Sequence, residues 1–270
     1  MSNYVQNMLK TSLAGKALAS IAILVALVIA AMTTLAYYHV STTVKTQTLN
    51  DLENYIVERT QHERQIFQLA EDNHAVLKKE VIRRLNDLGE SDPIGAFDKK
   101  VERLPDGTLR TRLEGFDGTQ QSFVYIGQNV EVNADLRRRV MTFIDLCEEY
   151  GAAWHHRLQN VYFTTPENFF VGYWPEVPDW AHGLPADMTF SEEEYVWVAD
   201  KKHDPSRKSV WTGLFYDIGS NVWMASLETP VDVGGTQIAT IGHDITLNEL
   251  LERTVANHLE GTYNLIVRDD

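Results

Sequence analysis

The stretch Ala17–Tyr38, ALASIAILVALVIAAMTTLAYY, carries no charge and ends in paired tyrosines. As a helix rising about 1.5 Å per residue it covers roughly 33 Å, enough to cross a hydrocarbon core of about 30 Å. Tyr37 and Tyr38 fall where an aromatic belt meets the lipid–water interface. Lys10 and Lys16 precede the span, with no acidic residue beside them. The positive-inside rule therefore puts residues 1–16 in the cytoplasm and everything after Tyr38 outside. A cleaved signal peptide is the alternative, but its apolar region is shorter, roughly 7–15 residues, and ends in a small-residue cleavage site that this run lacks. An uncleaved transmembrane helix over 17–38 is expected.

Working outward, residues 39–270 are long enough for one or two domains with real cores. The chain carries 24 Lys and Arg against 38 Asp and Glu, a net charge of −14. All the acids follow the apolar span, and so do all the cations except Lys10 and Lys16. That balance argues against nucleic acid and against an anionic lipid surface as partners of the outer part. Cys147 is the only cysteine, so an intramolecular disulfide and a cysteine-based metal site are both ruled out.

From Ser41 to Leu88 there is neither Gly nor Pro. Val44, Leu49, Leu52, Ile56, Ile66, Leu69, Leu77, Val81, Leu85 and Leu88 recur at helical spacing, with Gly89 and Pro93 as stop signals. The pattern predicts a long stalk helix over 39–89, its heptads broken around Arg59–Glu63. It is read as packing on its own domain, with a homodimer as the expected assembly. Transmission of a signal and a mere spacer are equally good readings of that helix.

Beyond Leu88 the pattern alternates. Strands are predicted at Phe97–Leu104 and Thr108–Leu113 around the turn Pro105-Asp106-Gly107, and at Phe123–Val132. Asn133 is placed to cap a helix running to about Tyr150, with Gly151 as its stop. Strands follow at Asn160–Thr165 and Phe169–Trp174, then a short helix from Ser191 to about Ala199. Three strands come next, Val210–Tyr216, Val222–Val231 and Gln237–Ile245, with Gly234-Gly235 turning between the last two. Thr246 caps a helix to about His258, and Tyr263–Val267 begins another strand. This order predicts an α+β fold with an antiparallel sheet flanked by helices.

Three runs carry a family resemblance: Asp204-Pro205-Ser206-Arg207 with Val210-Trp211-Thr212-Gly213-Leu214-Phe215-Tyr216-Asp217; Trp223-Met224-Ala225-Ser226 with Thr229-Pro230-Val231; and Thr240-Ile241-Gly242-His243-Asp244-Ile245-Thr246-Leu247. Together they resemble a double Cache sensor, a tandem PAS-like extracytoplasmic module of bacterial receptors. The resemblance implies a membrane-distal, ligand-binding PAS-like module over 90–246 and a connecting helix over 247–261. Residues 262–270 would begin a membrane-proximal module, so the chain is read as an N-terminal fragment. The expected function is the ligand-sensing portion of a transmembrane receptor in the bacterial inner membrane, with a sensor histidine kinase of a two-component system first. A diguanylate cyclase or a chemoreceptor is the alternative output. A membrane-anchored structural or envelope protein, or an anchored hydrolase, is the rival of another class.

All six Trp lie between Trp154 and Trp223, among many Tyr and Phe. That enrichment suits either an aromatic core or an apolar pocket with a few oriented polar groups. Amino-acid-binding members of the family use an Arg-x-Trp-Tyr element for the ligand carboxylate, and Tyr-x-Asp plus a later Asp for the ammonium. Phe215-Tyr216-Asp217 resembles the second element and Asp244 the third, whereas Arg-x-Trp-Tyr is missing and Arg207 and Trp211 stand four apart. The candidate ligand-binding residues are Tyr173, Trp197, Arg207, Trp211, Phe215, Asp217, Trp223 and Asp244. An amino acid, another amine and an organic acid all stay open as ligands. Asp217 could instead start a turn, and Asp244 could cap the following helix. His155-His156 lacks metal-ligand spacing, no G-x-S-x-G elbow surrounds Ser226, and no nucleotide loop occurs. No catalytic residue, metal site or cofactor is therefore expected within this chain.

Overall fold

The computed structural model describes residues 13–256, so the expected strand at Tyr263–Val267 and the start of a proximal module lie outside the described residues. The described chain falls into two compact units divided between His62 and Glu63.

The first helix, α1, runs Leu13–Asn86 without interruption. It is the one helix among the described residues long and apolar enough to cross a membrane. Every residue from Ala17 to Tyr38 is exposed, which suits a surface meant for lipid rather than for a protein core. In the second unit the same helix is amphipathic, burying Ile66, Ala70, His74, Leu77 and Val81. That spacing of three to four residues is one helical stripe.

The second unit is α+β. Its sheet comprises β1 (Val101–Arg103), β2 (Leu109–Thr111), β3 (Phe123–Ile126), β4 (Val161–Thr164), β5 (Phe169–Tyr173), β6 (Val210–Trp211), β7 (Phe215–Asp217), β8 (Val222–Val233) and β9 (Thr236–Thr246). All pairings are antiparallel, in the order β1-β2-β3-β5-β4-β9-β8-β6, with β7 also on β8. Gly234 and Gly235, at φ of 58° and 82°, make the tight β8–β9 turn that only a residue tolerant of positive φ closes without strain. The remaining helices are α2 (Ile94–Lys100), α3 (Ala134–Trp154), α4 (Trp180–Gly183), α5 (Glu194–Trp197) and α6 (Leu247–Ala256).

The two faces of the sheet carry different cores. Against one face pack α1 and α3, with Leu77, Val81, Val140, Phe143, Val161, Phe163, Val171 and Ile241 in a mostly aliphatic layer. Phe143 stacks on Phe163 at 4.5 Å. The other face is aromatic, with Phe123, Tyr125, Tyr162, Phe170, Trp174, Trp180, Phe190 and Tyr195. Residues 174–197 and β7 fold over that face as a lid.

Several expected boundaries moved for local reasons. Residues 97–100, the start of the expected strand Phe97–Leu104, belong instead to the helix Ile94–Lys100, which begins where the Pro93 carbonyl accepts from the amides of both Ala96 and Phe97. Asn133 caps α3 as expected, accepting from the Leu136 amide at 2.9 Å, but Gly151 does not stop the helix. It lies inside α3, where a Cβ would collide with the Tyr173 ring, so the glycine serves close packing. The run Val210–Tyr216 is broken into β6 and β7. The break falls where the Gly213 amide turns to the Glu194 carboxylate at 2.9 Å.

Candidate functional site: an acidic aromatic pocket under the lid

The floor of the site comes from residues at period two on three neighbouring strands. Asn160 and Tyr162 lead into and lie on β4, Ser226 and Glu228 lie on β8, and Gly242 and Asp244 lie on β9. Register brings them together: Tyr162 pairs with Gly242, Ser226 with Asp244, and Glu228 with Gly242. Gly242 has no side chain because Tyr162 occupies the space above it; a Cβ there would collide with the phenol ring. Laid flat over Gly242, Tyr162 brings its Oη within 2.6 Å of Glu228 Oε1 and 3.0 Å of Asp244 Oδ1.

Asp244 is fully buried and well supplied with donors. The Ser226 hydroxyl donates to its Oδ1, and the Asn160 amide donates to Oδ2 at 2.6 Å. Asn160 Oδ1 in turn accepts the Asp244 backbone amide at 2.9 Å. Burial raises the Asp244 carboxyl to about 6, against the opposing pull of the Ser226 and Asn160 hydrogen bonds. Burial pushes Glu228 well above the usual carboxylate range, and the nearby Asp244 charge pushes the same way. One phenolic proton cannot serve two acceptors, so two hydrogen bonds at Tyr162 Oη require a second proton. Burial favours the protonated form of both carboxyls, so one of the pair holds that proton and the phenol donates to the other.

The lid supplies the other carboxylate. Asp217 ends β7 and is buried. Its Oδ2 accepts the Trp180 indole N–H at 2.9 Å, the Ser220 amide at 2.6 Å and the Ser220 hydroxyl. Trp180 sits against Gly219, where any Cβ would strike the indole. The rings form a continuous stack, with Phe170 to Trp180 at 4.4 Å, Tyr162 to Phe170 at 4.9 Å and Tyr195 to Phe215 at 5.4 Å. Between floor and lid lies a pocket lined by Asp217, Asp244, Asn160 and these aromatics, together with Phe123, Tyr173, Trp174 and Met224. Its free space is about 10 Å³, room for roughly one water. A larger guest enters only if the lid moves.

On the opposite face, beneath the same strands, sit two buried histidines. His243 Nδ1 donates to the Asn160 carbonyl at 2.8 Å, and His74 on α1 meets the Thr229 hydroxyl at 2.9 Å. The Nε2 of each is buried without a partner. Burial lowers His243 to about 4 and holds His74 well below the ordinary imidazole range.

Of the residues expected from sequence, Tyr173, Phe215, Asp217 and Asp244 line the pocket. The other four lie elsewhere. Arg207, at φ of 54°, clips its guanidinium to Asp232 at 2.7 and 2.9 Å. Trp211 packs edge-on against Phe67 of α1 and donates to Glu71 at 3.1 Å. Trp197 packs on His203, and Trp223 is 47% exposed beside Tyr216. Asp244 does not cap α6; Thr246 does, accepting the Glu249 amide at 3.2 Å. Tyr162, Asn160, Ser226, Glu228, Trp174 and Trp180 were not singled out by sequence reasoning. For Asn160, Tyr162, Ser226 and Glu228 the signal was present as polar residues at alternate positions in or leading into otherwise apolar strands. Among the described residues, no group of three His, Cys, Asp or Glu is arranged to hold a metal ion.

No family model matches this chain, and no curated protein matches it. Solved structures do. The ligand-binding domain of the Pseudomonas aeruginosa amino acid chemoreceptor PctB in complex with L-Arg is 15% identical, with a TM-score of 0.37 over 45% of this chain and 47% of that one. That of the Pseudomonas fluorescens chemoreceptor CtaA in complex with L-valine is 17% identical, with a TM-score of 0.32 over 38% of this chain and 43% of that one. The same domain with L-isoleucine aligns over 73% of this chain and 65% of that one, at 14% identity and a TM-score of 0.35. These neighbours are Cache-type sensor domains. The match spans less than half the length of the first two.

Proposed function

We propose that this chain is the ligand-sensing portion of a bacterial transmembrane signalling receptor, with residues 1–16 cytoplasmic and residues 39–270 outside the membrane. The observation that carries this reading is the closed pocket itself. Two buried carboxylates and a shell of aromatic rings meet between the sheet and the segment packed over it. Such a concave, mostly apolar site with a few oriented polar groups is what a small-molecule site requires.

The strands of the pocket floor also touch the stalk. Ser226 and Glu228 face the pocket from β8, while Leu227 and Thr229, between and beside them, face α1; His243 and Asp244 divide in the same way on β9. A guest that opens the lid and shifts β8 and β9 therefore changes the seat of α1 around Ala70 and His74. In a homodimer such a shift is the kind of small helix displacement that biases an output domain. A histidine kinase is the first output proposed, a diguanylate cyclase or a chemoreceptor the next.

The test is a thermal-shift screen of the full chain in lipid nanodiscs against amino acids, amines and organic acids. A guest at about 100 times its Kd stabilises by about 2.7 kcal/mol, a shift of a few degrees. A hit lost in Asp217→Asn supports the reading. A folded protein that responds to none of the three classes overturns it.

A further inference from the structure

The segment 209–217 reaches α1 at one end and the pocket at the other. Ser209 Oγ lies 2.7 Å from Thr229 Oγ1, which meets His74 of α1 at 2.9 Å. Trp211 packs edge-on against Phe67 of α1 at 4.9 Å and donates its indole N–H to Glu71 at 3.1 Å. At the other end Phe215 and Asp217 line the pocket, and Phe215 stacks on Tyr195 of α5.

Trp211 and Phe215 stand four apart, a spacing that puts two side chains on the same face of a regular strand. Here they serve opposite faces. Trp211 pairs with Leu227, which packs with Ala70 of α1, and Phe215 pairs with Met224, which belongs to the aromatic core. Between those two pairs Thr212, Gly213 and Leu214 oppose only Ala225 and Ser226, so the segment carries one extra residue. Such a bulge re-aims the side chains beyond it. It is tied to the floor and to the lid at once. The Thr212 amide donates to the Ser226 carbonyl at 2.9 Å, and the Ser226 amide donates to Thr212 Oγ1 at 2.8 Å. The Gly213 amide donates to the Glu194 carboxylate of α5 at 2.9 Å.

We propose that residues 209–217 act as a lever pivoting at this bulge, with Trp211 as the residue that positions α1. Movement of α5 draws Gly213 with it through Glu194 and shifts Trp211 against Phe67 and Glu71. β6 can follow that pull, because it is two residues long and lies at the edge of the sheet, paired with β8. The inference rests on the sensing function proposed above. It adds the side chain through which the lid reaches the helix, a route separate from any shift of β8 and β9.

The experiment is hydrogen–deuterium exchange of the full chain in nanodiscs, with no ligand added. Glu194→Ala cuts the tie between lid and bulge, and is expected to speed exchange of the α1 amides over 65–75 at least three-fold. The same substitution added to Trp211→Ala, or to Glu71→Ala, should speed it less than two-fold beyond that variant alone. Glu71 is exposed and alanine is a good helix former, so Glu71→Ala keeps its fold even where Trp211→Ala loses it. A merely structural Trp211 would loosen α1 in the single variant and leave the response to Glu194→Ala intact. Persistence of the three-fold response in either background overturns the lever, and so does a parent α1 that ignores Glu194→Ala. Neither result involves a ligand, so the sensing function is left to the thermal-shift screen.

Discussion

His243 and Asp244 are neighbours on β9, yet they live in opposite chemistries. Asp244 faces the lid, where Ser226 and Asn160 donate to it. His243 faces the helices, where it makes one hydrogen bond and leaves Nε2 unpaired. Both are fully buried, so both lose solvation, but only one is compensated. The lid face gives its carboxylate donors that offset part of the cost of burial, and the helix face leaves its imidazole a single partner. A strand whose side chains alternate can separate these two requirements by a single residue.

Acid separates the two faces most strongly. In the folded protein His243 titrates at about 4 against an ordinary 6.5, so the unfolded chain binds the proton first. Its contribution to stability is full above pH 6.5 and is lost as the pH falls through about 4, a loss of roughly 3 kcal/mol. Denaturation of His243→Gln across that range should show this loss removed. A variant with the same acid sensitivity as the parent would contradict the burial argument.

Asp244 runs the other way. Its folded value is about 6 against an ordinary 3.8, so the stability its protonated form supplies is present below pH 3.8 and is lost as the pH rises through 6. The size is comparable, about 3 kcal/mol. Asp244→Asn should flatten that part of the profile.

Gly242→Ala should cost about 1–3 kcal/mol, the price of overpacking against Tyr162, measured as a lower midpoint in denaturant. It should also free the Tyr162 hydroxyl from Glu228 and Asp244, visible as a changed tyrosine absorbance. The smallest effect is expected for Glu228→Gln. Its side-chain amide donates to Tyr162 Oη as the protonated acid does, so stability at pH 7 should change by less than about 1 kcal/mol. A large loss would mean that Glu228 is ionised and that Asp244 holds the second proton.

Much of the architecture was legible in the sequence, because local signals wrote it. The uncharged run Ala17–Tyr38, the helical stripe through Leu77 and Val81, the Asn133 cap and the Gly234-Gly235 turn each act within a few residues. Gly151 misled because a glycine at a helix stop and a glycine beneath a ring look alike until Tyr173 is placed over it. The site was half legible for the same reason. Asp217 and Asp244 stand in recognisable runs, whereas Tyr162 matters only through Glu228 and Asp244, 66 and 82 residues away. Arg207 and Trp211 stood out as a cation and an aromatic. What they meet, Asp232 and the α1 residues Phe67 and Glu71, could be known only from the tertiary pairing.

The seat at Gly242 bears on how such a pocket can change over generations. Ring-for-ring exchanges around the lid leave a hydrophobic wall in place and can retune a guest by degrees. Position 242 allows no such gradation, since the smallest added side chain evicts Tyr162 and parts Glu228 from Asp244 in one step. In a saturation library this position should therefore behave as a switch, with glycine on one side and every other residue on the other. The ligand preference of the lid can drift, while its acidic floor stays fixed by an atom that is not there.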